Sequence, residues 1–274
     1  MAITNTQSEQ QDALVASWPL RRVGLRVQNM QRSIDYYGRL GLSVVRDERD
    51  ADGNGSVGLG AAGGSEVLQL RTLAGGRPRP RHTAGLFHFA LLVPDEPELG
   101  SFLRHVLDRN NNVPLGGASD HLVSQALYLT DPEGNGIEVY VDRPREQWPM
   151  QDGKVAMDTI PLNAPHLLEQ AHEFKGFSQG LRLGHMHLNV SDLDQTFAFY
   201  REHFGMERMI GIEQQAYFLS WDGYHHHLGT NLWAGRNVRP VEPDMYGIDF
   251  YEIRRPDLQP STIQDPNGVT IIIQ

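Results

Sequence analysis

Histidine is the residue type through which this chain can do chemistry. Its 274 residues include 12 His and no Cys. Thiolate zinc sites, iron–sulfur clusters, disulfides and a cysteine nucleophile are thereby excluded, and a metal must be held by imidazole, carboxylate or carbonyl groups. Two histidines occupy matching places: His88 stands seven residues before Asp95, and His185 seven before Asp192. A carboxylate has a fixed place too, since Glu138 lies seven residues after Asp131 of an Asp-Pro-x-Gly turn. Two imidazoles and one carboxylate leave open positions on a divalent metal, the ligand composition suited to non-haem Fe(II) acting on a substrate and O₂. Taken alone, a His in Phe87-His88-Phe89 is more often a core or rim residue, and a strand Glu a solvated one. Recurrence at equivalent positions is what favours ligands.

Those positions belong to an internal repeat. Arg22–Val27 alternates like a half-buried strand, Met30, Ile34 and Tyr37 recur at helical spacing, and Gly41 precedes the apolar Leu42–Val45. The same pattern returns 163 residues later, taking Met30 to Leu193, Ile34 to Phe197 and Tyr37 to Tyr200. A further copy runs from Leu86–Val93 through a helix carrying Leu99, Phe102 and Val106 to Asp131-Pro132-Glu133-Gly134 and the strand Gly136–Tyr140. The turn recurs as Asp265-Pro266-Asn267-Gly268, in which Pro fixes φ and Gly accepts positive φ. The spacing predicts strand–helix–strand modules at 19–75, 83–143, 181–237 and 244–274, the last too short to hold a helix. Antiparallel sheets with helices on one face leave the other face free to curve around a cavity. The organisation expected is a tail over 1–18, a first domain over 19–143, a linker with a short helix over 144–180, and a second domain over 181–274 with a degenerate last module.

Composition narrows the partners. With 24 Lys+Arg against 34 Asp+Glu, the formal net charge is -10, which argues against nucleic acid as a partner. No apolar run approaches the roughly 20 residues needed to span a bilayer, and the polar N-terminus lacks the pattern of a signal peptide, so the expectation is no membrane partner and a cytoplasmic location. Gly58–Gly64 reads as a hairpin loop, and Arg77–His82 as a solvated linker.

The modules, their first-strand His and the DPxGxxxE ending resemble the vicinal oxygen chelate superfamily, which includes glyoxalases, thiol transferases, antibiotic-binding proteins and type I extradiol dioxygenases. The run from His121 through Tyr128 and Asp131-Pro132-Glu133-Gly134 to Glu138 closely resembles the extradiol dioxygenase signature. The overall order is similar to short two-domain catechol 2,3-dioxygenases. The resemblance implies an α+β fold of tandem βαβββ modules, with His88, Glu138 and His185 as ligands of Fe(II), or of Mn(II). It implies His121 and Tyr128 as groups that orient a catechol, and His226 of Tyr224-His225-His226-His227 as the acid/base residue near O₂. Strand alternation would turn His225 and His227 one way and His226 the other. The substrates implied are O₂ and a catecholic small molecule, as in aromatic hydrocarbon catabolism, and a homo-oligomer is compatible with this reading. Because the ligands lie in modules two and three, those modules are expected to pair, leaving modules one and four, with Arg22, Gln69 and Ile272, as a metal-free counterpart. Two alternatives stay open: a glyoxalase or thiol transferase, for which Thr230 and Asn231 offer no clear fourth ligand, and a metal-free small-molecule binding protein.

Overall fold

The computed structural model describes residues 17–274; of the tail expected over 1–18, only Ser17 and Trp18 fall within the described residues. Module one comprises β1 (Leu20–Val27), α1 (Met30–Leu40), β2 (Ser43–Asp47), β3 (Ser56–Gly60) and β4 (Glu66–Thr72). Module two comprises β5 (Gly85–Leu92), α2 (Glu96–Leu107), β6 (Gly117–Asp120), β7 (Ser124–Thr130) and β8 (Gly136–Asp142). The segment between modules two and three holds a small hairpin, β9 (Met150–Gln151) and β10 (Lys154–Val155), and the short helix α3 (Ala164–Gln170). Module three has β11 (Arg182–Asn189), α4 (Leu193–Phe204), β12 (Glu207–Ile212), β13 (Ala216–Ser220) and β14 (Leu228–Asn231). Module four has strands only: β15 (Gly247–Ile253), β16 (Ser261–Gln264) and β17 (Thr270–Ile273).

The residues seven places after the first-strand position turn out to be helix caps. Asn29, Asp95 and Asp192 each accept a backbone N–H of the helix that follows, satisfying a donor that would otherwise lack a partner. Gly41 and Gly205 close α1 and α4 with φ of 112° and 65°, a conformation glycine adopts without strain. The recurring spacing is therefore the length of a strand from one fixed residue to the cap.

Strand order is β16-β17-β15-β1-β4-β3-β2 in one sheet and β12-β13-β14-β11-β5-β8-β7-β6 in the other. Module one thus joins module four, and module two joins module three, within a single chain. The sheets are mixed rather than antiparallel as expected: β1–β4, β5–β8, β11–β14 and β15–β17 run parallel, while β1–β15 and β5–β11 run antiparallel. The cause is the crossover after the first strand, a helix in modules one to three and a loop in module four. It carries the chain to an outer strand, from which hairpins step back until the last strand lies beside the first. The Gly58–Gly64 run is the end of β3 and its turn into β4.

A second set of contacts ties the other module pairs together. Tyr37 of α1 donates to Asp131 of module two at 2.8 Å, and Tyr200 of α4 donates to Asp265 of module four at 3.1 Å. In both turns Asp Oδ1 also accepts two backbone N–H groups. Helices α1, α2 and α4 contribute Tyr37, Leu40, Phe102, Leu103, Tyr200 and Phe204 to one hydrophobic core, into which Phe89 and Leu91 of β5 also point. The opposite faces of the sheets differ. In the first sheet Arg22 pairs with Glu66 and Glu252, and Arg46 reaches both Glu66 and Gln69. No described helix is long and apolar enough to cross a membrane.

Candidate metal centre

His88, Glu138 and His185 come together on the concave face of the second sheet. His88 Nε2 lies 3.0 Å and His185 Nε2 3.3 Å from Glu138 Oε2, with the two nitrogens 3.3 Å apart. All three side chains are buried, and they form the one group of three metal-ligating side chains found among the described residues. Register explains the meeting. Ala90 of β5 pairs with Glu138 of β8 on one side and with His185 of β11 on the other, and His88 lies two residues from Ala90 on the same face. The methyl group of Ala90 leaves the space that the three larger groups fill.

Two irregularities in the β5–β11 ladder adjust the aim. The register slips at Gly184 and again at Phe87, and an extra residue in a ladder bends the strand and redirects its side chains. Phe87 consequently joins His88 against His187, with ring centroids at 5.2 and 5.1 Å. Gly184 is required by close approach, because a Cβ there would lie 2.1 Å from the Tyr140 hydroxyl.

The electrostatics favour metal-ready protonation. Burial opposes charge on Glu138, but the adjacent imidazoles of His185 and His88 outweigh it and hold the carboxyl well below its usual range. Burial lowers the His185 imidazole to about 4, against the pull of Glu138 in the other direction. At neutral pH the site offers a carboxylate and an unprotonated imidazole from these two residues, the forms a metal requires. Donor type, burial and convergence fit a divalent transition metal.

A sequence model of the Glyoxalase/Bleomycin resistance protein/Dioxygenase superfamily matches residues 20–139 and 182–232, more than half of the chain. The chain belongs to that superfamily. A superfamily relative in Bacillus subtilis strain 168, catechol-2,3-dioxygenase, is 38% identical over 240 residues, covering 85% of this chain and 81% of that one. The superfamily fold is also seen in a Bacillus subtilis protein provisionally assigned as a dioxygenase, with TM-score 0.60, 16% identity, and coverage of 94% of this chain and 84% of that one. Glyoxalase I of Zea mays has TM-score 0.55 at 14% identity, over 93% of this chain and 91% of that one.

The other expected site residues are distributed around these three side chains. Tyr128 sits opposite Glu138 in the β7–β8 ladder, its ring 6.1 Å from that of His88. Its hydroxyl is 2.7 Å from His121 Nε2, while His121 Nδ1 lies 3.0 Å from the Asp158 carbonyl. A carbonyl only accepts, so Nδ1 carries the proton and Nε2 accepts from Tyr128. Burial raises the Tyr128 phenol above its ordinary value, with Glu138 adding to the effect. His226 packs its ring on His185 at 4.2 Å and on Phe218 at 5.0 Å. The expected alternation of His225, His226 and His227 does not occur, because the three lie in the connection between β13 and β14. All three are buried: His227 bonds Ser220 Oγ, and His225 turns to Asp142.

Sequence reasoning missed His187. It is buried, its ring lies 4.9 Å from that of His88, and its Nε2 has no hydrogen-bond partner. The available signal was period-two alternation from His185, but the matching residues Gly24 and Ala90 give no recurrence. Trp233 packs edge-on against Phe87 and tilted against His187 at the rim, whereas Trp221 is core.

Proposed function

We propose that this chain cleaves the ring of a catechol, or a substituted catechol, beside its two hydroxyl groups using O₂, with Fe(II) held by His88, Glu138 and His185. The convergence of those three ligand atoms carries the reading, and the relative named catechol-2,3-dioxygenase supports the reaction class. Fe(II) held there would relay electron density from a bound catechol to O₂, lifting the spin barrier between triplet O₂ and the singlet substrate.

The chain's own residues handle the protons. The Tyr128 hydroxyl, already donating to His121 Nε2, keeps lone pairs that accept from a substrate hydroxyl. A proton moving onto the Tyr128 oxygen is matched by one passing from Tyr128 to His121. His226 stands on the other side of the ligands and accepts a proton at Nε2, returning it as the ring opens. Phe87, Phe218 and Trp233 border this space with apolar rings.

Colour tests the proposal. Protein loaded anaerobically with Fe(II), then given catechol and air at neutral pH, is expected to turn yellow as the ring opens. His226→Ala should retain the metal and lose turnover; a variant turning over at the wild-type rate would remove His226 from the acid/base role. Absence of both bound iron and colour with every simple catechol would favour a binding protein.

A further inference from the structure

We propose that Asp142 and His225 set the tautomer of His226, making them positioning residues for its acid/base work; this rests on the function proposed above. The three side chains form a line. His225 Nε2 is 2.9 Å from Asp142 Oδ1, and His225 Nδ1 is 2.8 Å from His226 Nδ1. The Tyr224 hydroxyl donates to Asp142 Oδ2 at 2.9 Å and lies 2.9 Å from the Tyr140 hydroxyl, which therefore donates to it.

Donor and acceptor rules fix the protons. A carboxylate only accepts, so a neutral His225 carries its one proton on Nε2 and leaves Nδ1 as a lone pair. The single proton between the two Nδ1 atoms must then belong to His226, whose Nε2 is left bare. This is the tautomer an acceptor needs. When a substrate proton bonds to Nε2, its electron pair stays on the substrate oxygen, the Nδ1–H of His226 still donates to His225, and the new positive charge faces Asp142 through one imidazole. The logic is that of an acid–base pair whose base is oriented by a carboxylate. Here two histidines stand between carboxylate and substrate.

Asp142→Asn distinguishes this from a purely structural role. The Tyr224 hydroxyl, donating to the amide oxygen at the Oδ2 place, would turn the amide N–H toward His225 Nε2, moving the His225 proton to Nδ1 and the His226 proton to Nε2. The experiment is ¹⁵N NMR of the imidazoles in the full-length, metal-free chain, with steady-state kinetics of the Fe(II)-loaded protein on catechol. Wild type is expected to show His226 as the Nδ1–H form, and Asp142→Asn the Nε2–H form. In Asp142→Asn, kcat should fall about 100-fold or more with metal content unchanged and KM within about threefold. Tyr224→Phe keeps the carboxylate and should keep the wild-type tautomer. A wild-type His226 protonated on Nε2 overturns the proposal, and does so even if Asp142→Asn fails to fold. An unchanged tautomer in a folded Asp142→Asn overturns it as well. Wild type inactive on every catechol, yet with the stated tautomer, overturns the ring-cleavage reading and with it the relay's part in turnover.

Discussion

Tyr37→Phe removes one oxygen atom from a fully buried side chain, and its cost can be worked out from the contact it makes. The Tyr37 hydroxyl donates to Asp131 Oδ2 at 2.8 Å, and both residues are buried. Burial raises the Asp131 carboxyl above 3.8, with hydrogen bonds from Asn135 and Tyr37 opposing the rise. A hydrogen bond to an ionised group contributes about 1.5–3 kcal/mol and one between neutral groups about 1. The variant should therefore lose about 2 kcal/mol where Asp131 is ionised and about 1 where it is protonated. The sign follows from linkage: a carboxyl raised in the folded state holds a proton that the unfolded chain has released, so stability falls as pH rises from the unfolded value through the folded one. Loss of the Tyr37 donor raises the folded value further, so the gap between wild type and variant widens as pH rises. Urea unfolding at pH 4.5 and 7.5 measures it as a lowered midpoint with unchanged slope. A gap below about 0.5 kcal/mol at pH 7.5, or a larger gap in acid, would rule out an ionised Asp131 as the acceptor.

Tyr200→Phe should cost more, about 3 kcal/mol, since Asp265 loses a donor and the buried Tyr251 hydroxyl loses its acceptor; the same urea assay checks it. Glu138→Ala should leave the circular dichroism spectrum unchanged and abolish iron binding, as read by metal analysis after anaerobic loading. Gly184→Ala drives a methyl group into the Tyr140 hydroxyl and should lower stability by about 1–3 kcal/mol, with a weaker metal site because His185 is the next residue; thermal melts and metal titration read the two effects. Tyr128→Phe should keep the metal and lower kcat about 10- to 100-fold by interrupting the proton path to His121, measured by oxygen uptake.

Much of the architecture is written in spacing. A helix cap at a fixed distance from a strand position made the modules visible, and the same counting brought His88 and His185 to equivalent places. The Asp-Pro turns and the tyrosines of α1 and α4 were legible separately, but their union was not, because it links segments 94 and 65 residues apart. The mixed direction of the strands follows from the crossover after each module's first strand and leaves no mark on residue alternation. Phe87 and Gly184 escaped notice because a register slip is a property of two paired strands, and neither sequence alone contains it. The alternation rule failed at His225–His227 because those residues lie in the connection between β13 and β14, outside any strand. Asp142 was invisible as their partner, being 83 residues from His225.

The proposed reaction is ring cleavage of a catechol beside its diol, at a site where His88, Glu138 and His185 would hold the iron. Single-turnover reaction of the Fe(II)-loaded chain with catechol and ¹⁸O₂, followed by mass spectrometry of the product, tests it most directly. The expected product is one yellow ring-opened aldehyde acid per iron, cleaved outside the two hydroxyl-bearing carbons and carrying both ¹⁸O atoms as formed. A colourless dicarboxylic acid from cleavage between those carbons, or no product with iron bound, would contradict it.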